Sequence, residues 1–223
     1  MIRLAALCAA LVLLAAGGAR AQTAQQALVD RATLTVQEMF SDASNPEARK
    51  LLRDARGAMV CPRVFKAGFI FGGQGGDCVL VGRAGGTWTS PAFYGMGGGS
   101  FGLQIGVQDS QVIFIVLTDK GLQALMDSQF KIGADASVAV ASIGVGVQGA
   151  TTAALRADIV AFAQARGLFA GLALDGTLIS SRSDWNQLYY GRPMAAQQIL
   201  GGDGNNPGAE PLKEMLNRFA MGG

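Results

Sequence analysis

The sequence predicts a single compact α+β domain, in which N-terminal helices precede a glycine-rich, mainly antiparallel β-sheet or barrel-like core with short flanking helices. Three observations lead to this expectation. Apolar residues recur at steps of three and four in the first part of the chain, which is the period of an amphipathic helix. Beyond residue 57, short apolar runs alternate with glycine-bearing turns, as is typical of antiparallel strands. The length of 223 residues fits one domain.

Residues 1–21 have the composition of a secretory signal peptide. Arg3 supplies a positive start, and the apolar run from Leu4 to Ala16 is short for a bilayer span. We expect cleavage near Ala21, because Ala19-Arg20-Ala21 is an A-x-A site. The mature protein is therefore predicted to be periplasmic or secreted. An uncut membrane anchor is the alternative interpretation.

The charge of the chain excludes some partners, and its composition excludes several kinds of enzyme. The net charge of +2 belongs to the leader, since removing Arg3 and Arg20 leaves 16 basic and 16 acidic residues. A neutral mature chain gives no reason to expect nucleic acid as a partner. The chain has no histidine, which excludes a Ser-His-Asp triad, a Cys-His pair and an HExxH zinc site.

Cleavage of the leader leaves two cysteines, Cys61 and Cys78. An exported protein meets an oxidising environment, in which a disulfide between them is stable. Such a bond would close a modest loop and stabilise the fold by about 3 kcal/mol. Two buried free thiols are the alternative.

The N-terminal part of the mature chain is predicted to form two helices. The first covers residues 22–43, and its apolar stripe consists of Leu28, Ala32, Val36, Met39 and Phe40. Asn45 and Pro46 then have the residue types of an N-cap and a first helical position. The second helix is expected to end near Gly57.

The remainder of the chain alternates between predicted strands and short helices. Strands are expected at 67–71, 78–81, 101–107, 111–117, 137–147 and 159–174, although 153–165 could equally be helical. Helices are expected at 119–128, 195–200 and 211–220. In domain terms, residues 22–200 form the folded unit, and residues 201–223 are a polar linker followed by a C-terminal helix.

Two stretches match the GxGxxG pattern of dinucleotide sites. The first, 97–102, is followed by a strand pattern, whereas a pyrophosphate site requires a helix. The second, 144–149, lacks the acidic residue about 20 positions later that would hold a ribose. We therefore interpret these glycines as serving strand packing and turns. A nucleotide-dependent oxidoreductase using the second stretch, or a hydrolase using carboxylates, remains a lesser alternative.

The most local charge feature is a basic segment at residues 49–66. It combines six bases with one acid, Asp54, for a net charge of +5; the bases are Arg49, Lys50, Arg53, Arg56, Arg63 and Lys66. Its first part is an amphipathic helix with the bases opposite the leucines, and such a helix can lie on an anionic bilayer. A helix that packs its leucines on the core and leaves a solvated basic face is the alternative.

Five blocks of the sequence, in the same order along the chain, resemble the SYLF domain family. They are residues 66–73, 88–106, 130–138, 167–171 and 189–193, which read KAGFIFGG, WTSPAFYGMGGGSFGLQIG, FKIGADASV, GLFAG and YYGRP. The resemblance covers roughly residues 30–200. This family is a lipid-binding module of bacterial exported proteins and of eukaryotic membrane–cytoskeleton proteins.

The resemblance implies a compact α+β module that binds phospholipids and has no enzymatic activity, cofactor or metal. It implies phosphoinositides as ligands of eukaryotic members and actin as a ligand of some. For an exported chain we expect an anionic phospholipid membrane surface instead. The six bases would contact lipid phosphates, while leucines of the basic helix and Phe65 or Phe69 meet the acyl boundary. A structural envelope protein that packs on protein partners is the alternative.

Overall fold

The structure is a computed structural model that describes residues 23–41, 46–68, 71–101, 106–142, 156–167 and 176–221. Its helices are α1 Ala24–Ser41, α2 Pro46–Asp54, α3 Asp119–Met126, α4 Ser183–Tyr190, α5 Ala196–Gln198 and α6 Glu210–Met221. A π-helical turn, Ile199–Asp203, follows α5, and a 3-10 turn, Pro207–Ala209, precedes α6. Within the described ranges, no helix is both long enough and apolar enough to cross a bilayer.

The strands form one curled, mixed sheet. They are β1 Gly57–Gly68, β2 Phe71–Ala84, β3 Thr87–Trp88, β4 Ala92–Phe101, β5 Gly106–Val116, β6 Gln129–Lys131, β7 Val138–Ser142, β8 Ile159–Gly167 and β9 Leu178–Ser181. Eight of them run in the order β6-β9-β4-β2-β1-β5-β8-β7, and β3 pairs with β2. All neighbours are antiparallel except β7 and β8, which are parallel. The predicted α+β class is confirmed.

Both faces of the sheet are buried in its first half. On the outer face, residues such as Val60, Val79 and Ile113 pack beneath α1, α2, α4 and α6. On the inner face, residues such as Leu80 and Phe114 form a second core with α3 and the turn after α5. Continuous apolar runs in these strands follow from this double burial, because successive side chains point to opposite faces.

The N-terminal helices follow their predicted pattern. In α1 the predicted apolar stripe is fully or almost fully buried, with Val36 at 0% exposure. Pro46 begins α2, as predicted for a residue that lacks a backbone donor. The helix ends at Asp54, slightly before the expected boundary. Residues 159–165, for which a helix was an alternative, belong to strand β8.

Cys61 and Cys78 form a disulfide between β1 and β2, with their Cα atoms 4.2 Å apart. Both cysteines are fully buried in the inner core. The bond lies next to a register shift in β1 between Val60 and Arg63, where Pro62 interrupts the ladder. The predicted disulfide is confirmed, and it lies where the strand changes from one half to the other.

Beyond the disulfide, the strands converge on one end of the sheet that we call the glycine end. Gly68 is opposite both Gly72 of β2 and Gly106 of β5. Phe71 is opposite Phe101 of β4, at the same end. The β4 strand includes residues 97–101 of the first GxGxxG stretch, so the described glycines of that stretch belong to a strand, as interpreted from the sequence. The second stretch lies outside the described residues.

The C-terminal helix is part of the outer core. Leu212 and Leu216 of α6 are fully buried. The ring of Phe219 lies 5.8 Å from that of Phe40 in α1. Gln26 of α1 also donates a 2.9 Å hydrogen bond to the carbonyl of Gly208. The two ends of the described chain therefore complete one helical layer together.

Candidate functional site

The structure divides the predicted basic segment into two groups. Arg49, Lys50 and Arg53 lie on α2, and Arg56 lies just before β1. The remaining two bases, Arg63 and Lys66, follow the register shift in β1 and lie in the half of the strand that leads to the glycine end. Ten residues of strand separate Arg56 from Lys66, which corresponds to about 30 Å. The six bases therefore do not form one patch.

Two of the α2 arginines hold helices together. The Nε of Arg49 donates a 2.8 Å hydrogen bond to the carbonyl of Phe40, and its guanidinium lies 5.4 Å from the centre of the Phe219 ring. The Nε of Arg53 donates a 3.3 Å hydrogen bond to the carbonyl of Ala220. Both carbonyls belong to last turns of helices, where backbone acceptors lack partners and a cation is favourable.

The other residues of this region also differ from the predicted lipid contact. Leu52 is fully buried, and Leu51 is partly buried against the same core. The prediction that the leucines of this helix meet the acyl boundary is therefore wrong, because they pack inside the protein. Arg56 forms an exposed 3.4 Å ion pair with Asp119, and Lys50 is exposed.

The second basic group stands beside an exposed aromatic ring. Phe65 is 42% exposed, and the guanidinium of Arg63 lies 5.9 Å from the centre of its ring. Arg63 also donates a 2.7 Å hydrogen bond to the carboxylate of Asp109. Lys66 is opposite Gln108 on the inner face. Phe69, the other predicted aromatic contact, lies outside the described residues.

A groove runs between α1 and the outer face of the sheet at this second group. It consists of two adjoining cavities of about 310 and 490 Å³, both of which are lined by Arg31, Pro62 and Arg63. The smaller one extends along α1 past Leu34, which is 62% exposed. The larger one continues over Phe65, Gly75, Asp77 and Trp185. We refer to both cavities together as the groove.

Charges in the groove stand among aromatic rings. Arg182 donates a 2.7 Å hydrogen bond to Asp77, and its guanidinium stacks 3.8 Å from the centre of the Trp185 ring. The Nε of Arg31 donates a 3.1 Å hydrogen bond to a carbonyl of its own helix, and its side chain lines both cavities. The lining of the groove combines Arg31 and Arg63 with the acids Glu38, Asp77 and Asp109. A ligand that is partly anionic and partly hydrocarbon would meet the arginines beside exposed apolar groups.

One carboxylate with a strongly shifted pKa has a role in stabilising the fold. The pKa of Asp158 is lowered to about 2, mainly because the hydroxyls of Thr118 and Ser137 donate to its oxygens at 2.8 Å. These bonds join the start of β8 to the turns before α3 and β7. Among the described residues, no group of three or more Cys, Asp or Glu side chains could hold a metal ion.

Sequence reasoning identified Arg63, Phe65 and Lys66, but it missed the other walls of the groove. Arg31 lies on α1 and Trp185 on α4, more than 100 residues apart in the chain. Neither residue has a local pattern that marks it. Only the sheet order brings both helices over the same strands, and no feature of the sequence reveals that order.

Comparisons with known proteins give consistent results. The family described as "Ysc84: Las17-binding protein actin regulator" matches residues 97–219. SH3 domain-containing YSC84-like protein 1 of Rattus norvegicus is 32% identical over 159 residues, which are 70% of this chain and 47% of that protein. LAS seventeen-binding protein 3 of Saccharomyces cerevisiae is 30% identical over 176 residues, 77% of this chain and 38% of its own length. The chain spans less than half the length of these relatives.

Proposed function

Because the chain belongs to the Ysc84 family, whose domain is the SYLF domain, we propose that it is a non-enzymatic protein that binds anionic phospholipids. The observation that carries the proposal is the exposed Phe65 beside Arg63 at the mouth of the groove. The relatives carry names of binding or regulatory proteins, which agrees with a role in association. Phosphatidylinositol and its phosphates are the headgroups that the family resemblance adds to the candidates.

In this proposal the glycine-end half of the sheet faces the membrane. Arg31 and Arg63, which line the groove, contact lipid phosphates, and Phe65 enters the acyl boundary. Lys66 lies on the inner face of the sheet and remains a predicted contact. A base near an anionic bilayer contributes about 1 kcal/mol to binding. Phe69 follows Phe65 by four residues in the sequence and remains a predicted contact.

The four bases at α2 have a smaller role in this proposal. Arg49 and Arg53 already donate to helix carbonyls, so a phosphate would compete with bonds that hold the helices together. Arg56 pairs with Asp119 much as Arg63 pairs with Asp109, but Arg56 does not line the groove beside the exposed Phe65 ring. Lys50 is exposed and is the base of this group that is best placed to contact lipid. The proposed order of importance therefore places Arg31 and Arg63 of the groove before the bases of α2.

Vesicle co-sedimentation tests this order with two charge-matched variants. Arg31→Gln/Arg63→Gln and Lys50→Gln/Arg53→Gln each remove two positive charges. With vesicles of phosphatidylglycerol in phosphatidylcholine, we expect the first variant to bind about 30-fold more weakly, since two contacts of about 1 kcal/mol are lost. The second variant is expected to lose no more than about threefold. A series of headgroups, including phosphatidylinositol phosphates, then identifies the preferred lipid.

Two results would contradict the proposal. Equal binding to neutral and anionic vesicles would show that the positive charges do not contribute to binding. A larger loss in the Lys50→Gln/Arg53→Gln variant than in the Arg31→Gln/Arg63→Gln variant moves the membrane contact to α2.

We further propose that the protein is exported and works in the periplasm or outside the cell. The signal-peptide pattern of residues 1–21 supports this location. The disulfide between Cys61 and Cys78 also supports it, because structural disulfides persist in oxidising compartments. Cell fractionation with N-terminal sequencing is expected to find a mature protein that begins at Gln22. A cytosolic protein that retains residues 1–21 would refute the location.

A protein partner is the second candidate. The acids Asp77 and Asp109 pair with arginines along the groove, and such mixed charge also suits a protein surface. The family description names Las17 as a partner of its members. Mass spectrometry of the purified native protein separates the two candidates. Co-purifying phospholipid supports the first, and a stoichiometric protein partner without lipid supports the second.

A further inference from the structure

Four glycines form a bare patch on the outer face of the sheet, next to the groove. Gly75 of β2 is opposite Phe65 of β1 on one side and Gly97 of β4 on the other. Gly73 and Gly99 form the next pair on this face, closer to the glycine end. Directly paired residues present the same face of a sheet. We call these four residues the glycine floor.

Among the described residues, neither backbone conformation nor packing requires glycine at these positions. None of the four has a positive φ. Within the described part of the chain, a Cβ added at Gly73 or Gly97 would meet no heavy atom within 4 Å. At Gly75 and Gly99 the nearest atoms would lie at 3.6 and 4.0 Å, which is ordinary contact.

The glycines that alternate with them on the inner face are different. A Cβ at Gly98 would come within 3.3 Å of Thr177, and one at Gly76 would clash with the carbonyl of Arg63. Packing therefore explains the inner glycines. The floor glycines weaken their strands without such a reason, and a strand glycine of this kind marks a close approach to the backbone from outside.

Exposed apolar side chains border the floor. Phe65 and Val107, which are 42% and 59% exposed, lie on one side, and Leu178, which is 38% exposed, lies on the other. Leu178 is opposite Gly97, so three strand spacings separate it from Phe65. That distance is about 14 Å. These side chains form the apolar rim of a shallow channel, and the backbone of the floor glycines forms its bottom.

The polarity changes along this channel. At the end nearer the helices, Gly75 also lines the larger cavity of the groove, together with Arg31, Arg63 and Asp77. Toward the glycine end, the described neighbours of Gly73 on this face are Ala67 and Gly99. An occupant that matches both ends is charged at one end and hydrocarbon at the other.

The area of the floor excludes a large protein interface on the floor alone. Two strand spacings of about 4.8 Å by three residues of about 3.3 Å give about 100 Å². A stable protein interface buries about 800 Å² on each partner. A backbone surface this small and flat suits hydrocarbon chains lying along the strands.

We propose that the glycine floor is the acyl-chain site of the lipid-binding surface. The tails of a bound phospholipid lie along β2 and β4 over Gly75 and Gly97, and the headgroup lies in the groove near Arg31 and Arg63. This inference rests on the proposed function and adds that the protein holds single lipid molecules by their tails.

Fluorescence titration with cis-parinaric acid, a fatty acid that emits in apolar surroundings, tests the inference. Saturable binding is expected for the unaltered protein. The variant Gly75→Leu/Gly97→Leu fills the floor and is expected to weaken binding at least about tenfold. Gly201→Leu is the matched control, because Gly201 is exposed, has ordinary φ and has no described heavy atom within 4 Å of an added Cβ. This control is expected to bind like the unaltered protein.

A second variant keeps the test valid if the filled floor disturbs folding. Phe65→Ser/Val107→Ser removes one side of the apolar rim and leaves the floor glycines unchanged, and it is expected to weaken binding about fivefold. Circular dichroism checks that each variant is folded. Unchanged affinity in a folded rim variant, or in a folded floor variant, would overturn the inference.

Other outcomes separate this inference from the proposed function. If the unaltered protein binds vesicles of phosphatidylglycerol but not the probe, the acyl-chain site is refuted and the proposed function stands. A different outcome is that the probe binds to the unaltered protein but not to the variant with the filled floor, while neutral and anionic vesicles bind equally well. In that case the acyl-chain site stands and the electrostatic membrane contact fails. A dimer that floor filling abolishes, with no probe binding, would assign the floor to a second copy and refute the inference.

Discussion

The two halves of the long strands β1, β2 and β5 have opposite characters. In the first half, Val60 faces the outer core and Met59 faces the inner core, and both are fully buried. In the second half, the same strand exposes Arg63 and Phe65 and pairs with glycines. The disulfide and the register shift lie between the halves. Because the first half supplies the stability, the second half can carry residues suited to contact with a ligand.

The largest expected effect comes from comparing two phenylalanines, one in each half. Phe114 is 1% exposed in the inner core, whereas Phe65 is 42% exposed. We expect Phe114→Ala to lower the free energy of unfolding by about 3–5 kcal/mol, because it leaves a cavity. Phe65→Ala is expected to cost less than about 1 kcal/mol. Urea denaturation followed by circular dichroism measures both, and similar losses would remove the distinction between the halves.

Removal of the disulfide tests the boundary between the halves. The bond joins cysteines 17 residues apart. We expect Cys61→Ala/Cys78→Ala to lower the free energy of unfolding by about 3 kcal/mol, because the unfolded chain regains the freedom of a closed loop. Reducing agent is the control, since it is expected to destabilise the unaltered protein and to leave the variant unchanged. A variant as stable as the oxidised protein would show that the bond is dispensable.

A pair of glycine substitutions compares the two faces within the second half. Gly76→Ala places a Cβ against the carbonyl of Arg63, and we expect a loss of about 2 kcal/mol from the resulting overpacking. Gly73→Ala meets open space, so it is expected to be neutral or to stabilise by up to about 1 kcal/mol. Thermal melting of both variants measures the two changes in stability. The expectation fails if Gly73→Ala is as damaging as Gly76→Ala.

The smallest effect concerns the pH dependence of stability at Asp158, which precedes β8 beside the first half of the strands. The pKa of Asp158 is lowered from 3.8 to about 2 by the hydrogen bonds that its carboxylate accepts. Its contribution to stability is therefore present above about pH 4 and is lost as the pH falls toward 2. We expect Asp158→Asn to cost about 1–2 kcal/mol at neutral pH and to reduce the fall in stability below pH 4. Acid titration of both proteins measures it, and parallel curves would assign the fall to other groups.

Apolar runs and helical periods were sufficient to predict most of the scaffold. The stripe of α1 and the start of α2 at Pro46 follow from side-chain spacing and backbone chemistry. Strand β4 was not recognised as a whole because its glycines interrupt the apolar run. Helix α4 was missed because only Asn186 and Tyr189 of its residues are buried. Its buried position depends on a bond from the backbone of Phe93 to the Asn186 side chain, a non-local contact.

The candidate site shows a sharper limit of sequence reasoning. A charge count over residues 49–66 assumes that the six bases lie close together. In the structure the segment is a helix followed by a strand, which places the two ends of the segment far apart. The count also cannot show that Arg49 and Arg53 donate to helix carbonyls. Phe65 was selected correctly as an aromatic residue among bases, but its neighbour Trp185 becomes visible only when the strands are in order.

The contact between α1 and α6 has a consequence for the timing of folding. Phe40 near the start of the described chain needs Phe219 near its end, and Gln26 needs the carbonyl of Gly208. A growing chain therefore leaves the part of α1 that α6 covers exposed until α6 has been synthesised. Contacts of such long range slow the formation of the native state. A chain that cannot close its outer layer early stays unfolded for longer, and this is the state in which a polypeptide can be threaded through a narrow pore.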